Sequence, residues 1–536
     1  MRRSHVSGGR SVALLLLAAV SLALVAPAAA NETSDVESTK GFRKSVTLAG
    51  IREHQAALQQ IADANGGNRL SGTGGFDDSV EYVVDRLEAA GYQPVVETFD
   101  YLLVSDKTPP IFQRISPILT TYVDGIDFGT MQYSGSGDIT APVVAVDLVV
   151  PPVGAANGNT SGCEAADFAG FPSGSIALMQ RGTCTFRIKA ENAQAAGATG
   201  VIIFNEGQVG RTAGAFGTLG APPMSFPVIS ASFAVGNALR GNVLNGLTGT
   251  TARIKTDTIA ELRETYNIVA ETAGGDPNRV VVIGAHLDSV SRGPGINDNG
   301  SGSATILEVA EVFASQQRET RNKLRFMWYG AEESGLIGST IHVSRLSQAE
   351  RDRIELMLNF DMIGSPNYAR FVYDGDNSAF PVGPGAAVGP EGSGEIERVF
   401  HDYFASQGLA SAETPFSGRS DYGPFIAVGI PAGGLFTGAE GIKTVQEADM
   451  FGGEAGVAYD VCYHLACDTF ATTNSAYALQ GLDEMSDAVA HAVLYFSRRN
   501  FDKSPLLNPD TPVTGVSGTT GGGGLHADHD HEAETE

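Results

Sequence analysis

The fold is decided by residues 280–289, VVVIGAHLDS, in which a continuous apolar run ends in His286 and Asp288. A second apolar run, Leu324–Trp328, begins the stretch LRFMWYGAEESGLIGS over residues 324–339 and is followed by two adjacent glutamates. Apolar runs of this length are typical of parallel strands that are buried on both faces. The chain around them is therefore expected to contain a parallel sheet, with polar residues at the strand ends.

Helical patterns separate these strands. Residues 302–313 and 394–404 repeat apolar positions at helical spacing,. Strands that alternate with helices predict an α/β domain over 256–503, with a mixed, mainly parallel central sheet and helices on both faces. In such a domain, ligands bind at the carboxyl ends of the strands.

The composition excludes some partners. The chain has 536 residues, and its 61 acidic and 35 basic side chains give a net charge of -26. This charge argues against nucleic acid or an anionic membrane surface as the main partner, and it is compatible with divalent cations. We expect the protein to be a monomer.

The N-terminus has the features of a secretory signal peptide over residues 1–30. Basic residues precede an apolar stretch, Val12 to Val25, and Ala28-Ala29-Ala30 supplies small residues for cleavage,. The predicted product is a secreted, extracellular protein with no membrane attachment after cleavage.

Composition divides the rest of the chain. Residues 41–119 are predicted to form an N-terminal part of the α/β domain, with a helix over 78–90 and a strand over 94–101. Residues 120–255 are rich in Gly, Pro and short β-like runs such as Val143–Val150, which predicts an inserted β-rich module,. Residues 504–536 have the composition of a disordered Gly-rich tail that ends in histidines and acids.

The chain contains four cysteines: Cys163, Cys184, Cys462 and Cys467. An even number in a secreted chain suggests two disulfides, for which three pairings are possible. The local pairing keeps each bridge within one segment. A zinc site made of all four cysteines is the alternative, and the spacing fits it poorly.

Metal-type ligands follow strands or occupy Gly-rich turns at five places in the α/β segment: His286, Asp298, the Glu332-Glu333 pair, Asp361 and His464. Each of them alone is weak evidence for a site. Together they predict one crevice, because the loops at the carboxyl ends of parallel strands converge. We expect Glu332 and Glu333 to lie in an extended segment and to point in opposite directions, so that one binds metal and the other faces the substrate.

Six motifs in this segment resemble those of the secreted double-zinc aminopeptidases of the leucyl aminopeptidase kind found in Streptomyces. They are HLDS, GINDNGSG, GAEE, NFDMIGSPN, GRSDYGPF and GLFTGAE. The resemblance covers most of residues 256–500. It implies an aminopeptidase that has two Zn²⁺ ions per chain and acts on peptides or proteins with large apolar first residues.

The resemblance also implies roles for individual residues. The terminal metal ligands would be His286, Glu333, Asp361 and His464, with Asp298 as the bridging ligand. Glu332 would be the general base, Asp288 would fix the ring of His286, and Tyr463 would donate to the developing oxyanion. The first residue of the substrate would lie among Met362, Gly418, Arg419 and Phe436. Arg419 has two interpretations: an ion pair with Asp421 or another acid, or a hydrogen bond to the substrate backbone.

The middle module resembles the protease-associated (PA) domain through residues 174–205, GSIALMQRGTCTFRIKAENAQAAGATGVIIFN. A Cys163–Cys184 bridge fits that domain. The role of the PA domain would be to gate or position the substrate, or only to shield the enzyme.

Other functions remain possible at this stage. Related sheets carry carboxypeptidases and glutaminyl cyclases, but GRSDYGPF and GLFTGAE match the aminopeptidase group. A non-catalytic binding module would be expected to lack one or more of the ligands, and all of them are present.

Overall fold

The computed structural model describes residues 28–154, 157–208, 211–215, 217–383 and 385–501. Most of the predicted signal peptide and the predicted tail from 504 lie outside these ranges. None of the helices within them combines the length and the apolar character that crossing a membrane requires.

Sixteen strands and twelve α-helices make up the described chain. The strands are β1 Val95–Asp106, β2 Ile111–Ser116, β3 Thr120–Thr121, β4 Phe128–Thr130, β5 Gly137–Ala145, β6 Ile176–Gln180, β7 Gly200–Phe204, β8 Val228–Ala231, β9 Gly246–Thr256, β10 Thr258–Glu271, β11 Asp276–His286, β12 Asn322–Tyr329, β13 Ile354–Phe360, β14 Phe371–Tyr373, β15 Ala412–Thr414 and β16 Ala432–Phe436. The helices are α1 Ala28–Arg43, α2 Leu48–Ala64, α3 Gly74–Ala89, α4 Phe186–Ala195, α5 Phe233–Arg240, α6 Gly300–Ser315, α7 Ile337–Arg345, α8 Gln348–Arg351, α9 Ser393–Ser406, α10 Gly423–Ala427, α11 Val445–Phe451 and α12 Ala476–Arg498.

The first of two sheets has the strand order β1-β10-β12-β11-β13-β16-β14-β15. Its centre is parallel, because β11 pairs in parallel with β12 and β13, and β13 pairs in parallel with β16. Helices pack on both faces, and β11 is buried from Val280 to its end. The expected mixed, mainly parallel α/β sheet is thus confirmed.

The second sheet has the order β3-β2-β9-β5-β6-β7-β8-β4 and extends in the chain from Ile111 to Thr256. It is β-rich, as expected, with α4 and α5 packed against it. The long antiparallel pair β1 and β10 leads into and out of this sheet, so the module is inserted between two neighbouring strands of the first sheet.

One expected strand is shorter than its apolar run. Val143 to Val150 was expected to be extended, but β5 ends at Ala145. The backbone of Asp147 has φ = 45°, a left-handed conformation that an L residue does not adopt within a strand,. An apolar run therefore overestimates the length of a strand when the chain turns inside it.

Candidate active site

The carboxyl ends of the central strands bring the predicted ligands together. His286 is the last residue of β11, and Asp361 follows β13 directly. Glu332 follows β12 after a short turn. Because β11 lies in parallel between β12 and β13, these three ends form one edge of the sheet,.

Asp298 lies between the two histidines. Its Oδ1 is 3.2 Å from His286 Nε2, and its Oδ2 is 3.2 Å from His464 Nε2. Each histidine has a second carboxylate: Asp361 Oδ1 lies 3.3 Å from His286 Nε2, and Glu333 Oε2 lies 3.0 Å from His464 Nε2. The cluster therefore has two halves that share Asp298. The Asp361 half also contains His286, and the Glu333 half also contains His464.

Glu332 and Glu333 diverge, but not for the reason expected from the sequence. The pair lies in a bend rather than in an extended segment, and the bend follows Ala331, whose φ is 53°. Glu333 is directed to His464, whereas Glu332 Oε2 is 3.9 Å from His286 Nε2. The expectation of an extended segment was wrong, because a positive φ turns the chain at this point.

The donor set fits a divalent transition metal. Imidazole nitrogens and carboxylate oxygens are the ligands that zinc accepts. Glu333 Oε1 and Asp361 Oδ1 are buried without a hydrogen-bond partner. Buried carboxylate oxygens are costly without a partner, and a cation would compensate them.

The electrostatics of the two halves agree with this fit. Burial alone would lower the pKa of His286, but the carboxylates of Asp361 and Glu332 outweigh it and raise that pKa well above its usual value. Burial raises the pKa of Glu332 well above its usual value and that of Glu333 to about 7. The cluster thus holds excess negative charge that protons or a cation must balance.

The ring of His286 is oriented through its other nitrogen. His286 Nδ1 lies 3.2 Å from the backbone carbonyl of Asp288 and 3.6 Å from the carboxylate of the same residue. The Asp288 carboxylate accepts a hydrogen bond from the backbone N–H of Glu332 at 3.2 Å. Asp288 therefore links the histidine to the bend that carries the two glutamates.

His464 is held in a constrained loop. Its φ is 56°, and its ring stacks on that of Tyr463 with the centroids 3.9 Å apart. A disulfide joins Cys462 to Cys467 across this loop. The second disulfide joins Cys163 to Cys184 in the other sheet, so both bridges are local.

Three further side chains position the cluster and were not given roles from the sequence. Asp468 accepts the backbone N–H groups of Asn297 and Asp298 at 2.8 and 3.0 Å, and Ser420 donates to Asp361 Oδ2 at 2.7 Å. Ser420 lies inside the motif GRSDYGPF, and Asp468 directly follows Cys467, but no spacing rule identified their roles. Arg69 lies far away in sequence, so it left no signal.

Arg69 is fully buried below the loop that carries Asp298. Its guanidinium donates to the backbone carbonyls of Leu287, Pro294 and Gly295. Three carbonyls on one cation hold this loop against the end of β11.

Three of the four predicted substrate residues, Met362, Gly418 and Arg419, lie within two residues of Asp361 or of Ser420, the hydrogen-bond donor to Asp361. Met362 follows Asp361 with φ = 50°, and its carbonyl accepts the N–H of Thr437, the neighbour of Phe436, at 2.9 Å. Gly418 has φ = 74°, which favours glycine,. Burial raises the pKa of Glu440, and the nearby positive charge of Arg419 offsets part of this rise.

A cavity of about 160 Å³ opens on the other half of the cluster. Glu333 and His464 line one side of it, and Thr130, Met131 and Gln132 of the inserted module line another. Gln132 Nε2 donates to the backbone carbonyl of Glu333 at 3.4 Å. The inserted module therefore contacts the candidate site directly.

The model of peptidase family M28 matches residues 267–493, and the PA domain model matches residues 139–239. An aminopeptidase of Pseudomonas aeruginosa is 46% identical over 464 residues, which cover 86% of this chain and 83% of that protein. The chain belongs to peptidase family M28. A probable leucine aminopeptidase 2 of Aspergillus fumigatus is 42% identical, with 83% and 82% of the two chains covered. This M28 member is an aminopeptidase with an inserted PA domain.

Solved structures agree on the fold of this M28 aminopeptidase. An aminopeptidase from Aneurinibacillus sp. superposes with a TM-score of 0.64 at 26% identity, covering 87% of this chain and 98% of that one. A zinc aminopeptidase from Bacillus subtilis gives a TM-score of 0.60 at 23% identity, covering 85% and 96%.

Proposed function

We propose that this aminopeptidase uses two zinc ions to release large apolar N-terminal residues from peptides. The position of Asp298, with one carboxylate oxygen toward each histidine at 3.2 Å, is the observation that carries this proposal. A single metal would not need two histidines on opposite sides of one aspartate.

In the proposed centre, His286 and Asp361 would hold one ion, His464 and Glu333 would hold the other, and both ions would share Asp298. When bound, such a pair of ions polarises the scissile carbonyl and lowers the pKa of a water molecule toward neutrality. The structurally similar Bacillus subtilis enzyme is a zinc aminopeptidase, which supports zinc as the metal.

The protein's own groups move the proton and stabilise charge. Glu332 accepts a proton from the attacking water and passes it to the leaving amine; burial keeps its affinity for a proton high, with a pKa well above the usual value,. Burial also raises the pKa of Tyr463 well above its usual value, so its phenol stays protonated and donates to the developing oxyanion,. Asp288 keeps His286 in the orientation that the ligand role requires.

The substrate's first residue would lie on the Asp361 half. Its positive amine is held by the carboxylates of Glu332, Asp361 and Asp298. Met362 and Phe436 offer an apolar wall, Gly418 leaves room, and Arg419 donates to the substrate backbone. N-terminal Leu, Met or Phe is therefore favoured over Asp or Glu, which the carboxylates repel.

The PA domain would position the part of the substrate that follows the scissile bond. Glu333, His464, Met131 and Gln132 line the cavity of about 160 Å³, whereas Met362 does not. A residue beyond the cleaved bond that entered this cavity would contact the PA domain.

We also propose that the protein is secreted as a monomer. The apolar N-terminal segment and the two disulfides support an extracellular location,. Both bridges lie within the chain, so neither requires a partner.

Metal analysis combined with kinetics tests the proposed function. Removal of metal with a chelator should abolish turnover, and the return of two equivalents of Zn²⁺ per chain should restore it. Leu-amide should exceed Ala-amide by about tenfold or more in kcat/KM, because each buried methylene contributes about 1–3 kcal/mol in such a pocket. N-acetyl-Leu-amide serves as the control and should be inert. Full turnover without metal, or cleavage of the acetylated substrate at a similar rate, would overturn the proposal.

A further inference from the structure

A second group of metal-type side chains lies at the far edge of the central sheet. Glu397 and His401 are one turn apart on α9, and Glu413 lies on the edge strand β15. One ligand atom from each of the three lies within 4.8 Å of the others. The proposed catalytic centre uses none of these residues.

His401 is oriented toward the two carboxylates. Its Nδ1 is 2.8 Å from Ser411 Oγ, so the hydroxyl can accept a hydrogen bond from this nitrogen. Its Nε2 then presents a lone pair toward Glu397 Oε1, 3.9 Å away, and has no hydrogen-bond partner. The residue is only 3% exposed, and burial lowers its pKa to about 4, so the ring is neutral at pH 7. A neutral buried imidazole with one nitrogen fixed and the other free is the form that binds metals.

Glu397 is fixed in the same way. Its Oε2 accepts the backbone N–H groups of Gly375 at 2.8 Å and Asp376 at 3.3 Å, which leaves Oε1 directed to His401. Burial, together with the charges of Asp376 and Asp374, raises the pKa of Glu397 to about 9. The strongest charged neighbours of this carboxyl are thus acids, and a bound cation would offset the free-energy cost of burying its negative charge.

A similar group elsewhere differs in this respect. His54 Nε2 lies 3.8 Å from Glu308 and 3.9 Å from Glu311, but Arg86 pairs with both oxygens of Glu311 at 2.6 and 2.8 Å. The guanidinium already supplies the compensating charge there. Asp374, beside Glu397, is also satisfied, because it accepts the backbone N–H groups of residues 378 to 380.

We propose that Glu397, His401 and Glu413 form a structural Zn²⁺ site that joins α9 to the edge strand β15. One imidazole and two carboxylates are a donor set that zinc accepts, with water completing the tetrahedron. Calcium fits less well, because it prefers oxygen ligands alone. The site would anchor the strand that leads to Gly418 and Arg419.

Zinc stoichiometry of the full-length holoenzyme tests this site. The wild type and the variants His401→Asn and Glu413→Gln are equilibrated with Zn²⁺, desalted, and measured by mass spectrometry for zinc per chain. Asparagine keeps a polar group near the Nδ1 position but removes Nε2. Glu391→Gln, an exposed residue before α9, is the control for the loss of one negative charge.

The expected result is one zinc fewer per chain in both variants than in the wild type and the control, with turnover within about twofold in all four. Equal zinc in the wild type and the variants would overturn the proposal, whatever the total is, and would leave the catalytic centre untouched. If His401→Asn fails to fold, Glu413→Gln decides, since its side chain is partly exposed. A difference that appears with Ca²⁺ but not with Zn²⁺ would also overturn the zinc site.

Discussion

The two eight-stranded sheets of this chain are built alike but carry different residues at their strand ends. Both have buried parallel strands with helices packed against them. In the peptidase sheet, β11 ends at His286 and β13 is followed by Asp361, whereas β6 and β7 of the PA sheet are followed by Arg181 and Asn205. Among the described residues, every group of histidines and acids able to hold a metal lies outside the PA sheet. The parallel strands of both sheets bring their carboxyl ends together, but only the residue types at those ends decide whether a metal can bind there.

The largest expected effect separates the two adjacent glutamates. Glu332→Gln should lower turnover by about 10²- to 10⁴-fold and leave the zinc content near two per chain, because it removes the base and no ligand. Glu333→Gln should lower the zinc content as well. Kinetics and metal analysis of both variants check this; zinc loss in Glu332→Gln alone would mean that the two roles are reversed.

The two disulfides test whether the constrained loop at the active site matters for turnover, because one bridge lies in the peptidase domain and the other in the PA domain. Replacing Cys462 and Cys467 with serine should lower kcat/KM by about tenfold or more, because the loop that holds Tyr463 and His464 loses its constraint. Replacing Cys163 and Cys184 should leave turnover near that of the wild type. Chain entropy predicts stability losses of about 2 kcal/mol for the first pair and about 3 kcal/mol for the second. Unchanged turnover without the Cys462–Cys467 bridge would contradict the positioning role.

The cavity wall tests whether the PA sheet contributes to specificity. Gln132→Ala should change kcat/KM by about threefold to tenfold for Leu dipeptides that differ in the second residue, and should affect Leu-amide much less. Gln113→Ala, on β2 of the same sheet and away from the cavity, is the matched control. The positioning role is excluded if both variants treat all dipeptides as the wild type does.

The last test has the smallest expected effect on turnover and concerns acid stability. Residues 111–256 contain no histidine, so any histidine effect on acid stability arises in the peptidase sheet and its helices. Burial lowers the pKa of His491 to about 3 and that of His54 to about 4. Below pH 6.5 the unfolded chain binds protons that the folded chain excludes, so stability falls as the pH falls toward these values. At pH 4.5 the loss of unfolding free energy due to His491 is about 3 kcal/mol. Melting temperatures of the wild type and His491→Gln between pH 7 and 4.5 should differ in slope; parallel curves would refute this assignment.

The strands and helices of the peptidase domain were largely predictable. The helices expected at 302–313 and 394–404 are α6 and α9, and the apolar runs at 280–285 and 324–328 are β11 and β12. Periodicity and burial act over a few residues, so a sequence pattern records them directly. The conformation of Glu332 and Glu333 was not predictable in this way, because the positive φ of Ala331 leaves no signal in an alanine.

The sequence by itself determined which residues can bind a metal, which strands end beside them, and the family whose motifs they resemble. Only the tertiary structure decided that Asp298 lies between two histidines from distant segments, that Arg69 supports the loop from below, and that Gln132 of the PA domain reaches Glu333. The reason is physical: a side chain's type and its local periodicity are properties of neighbouring residues. Distances between segments separated by a hundred residues or more depend on how whole sheets and helices pack.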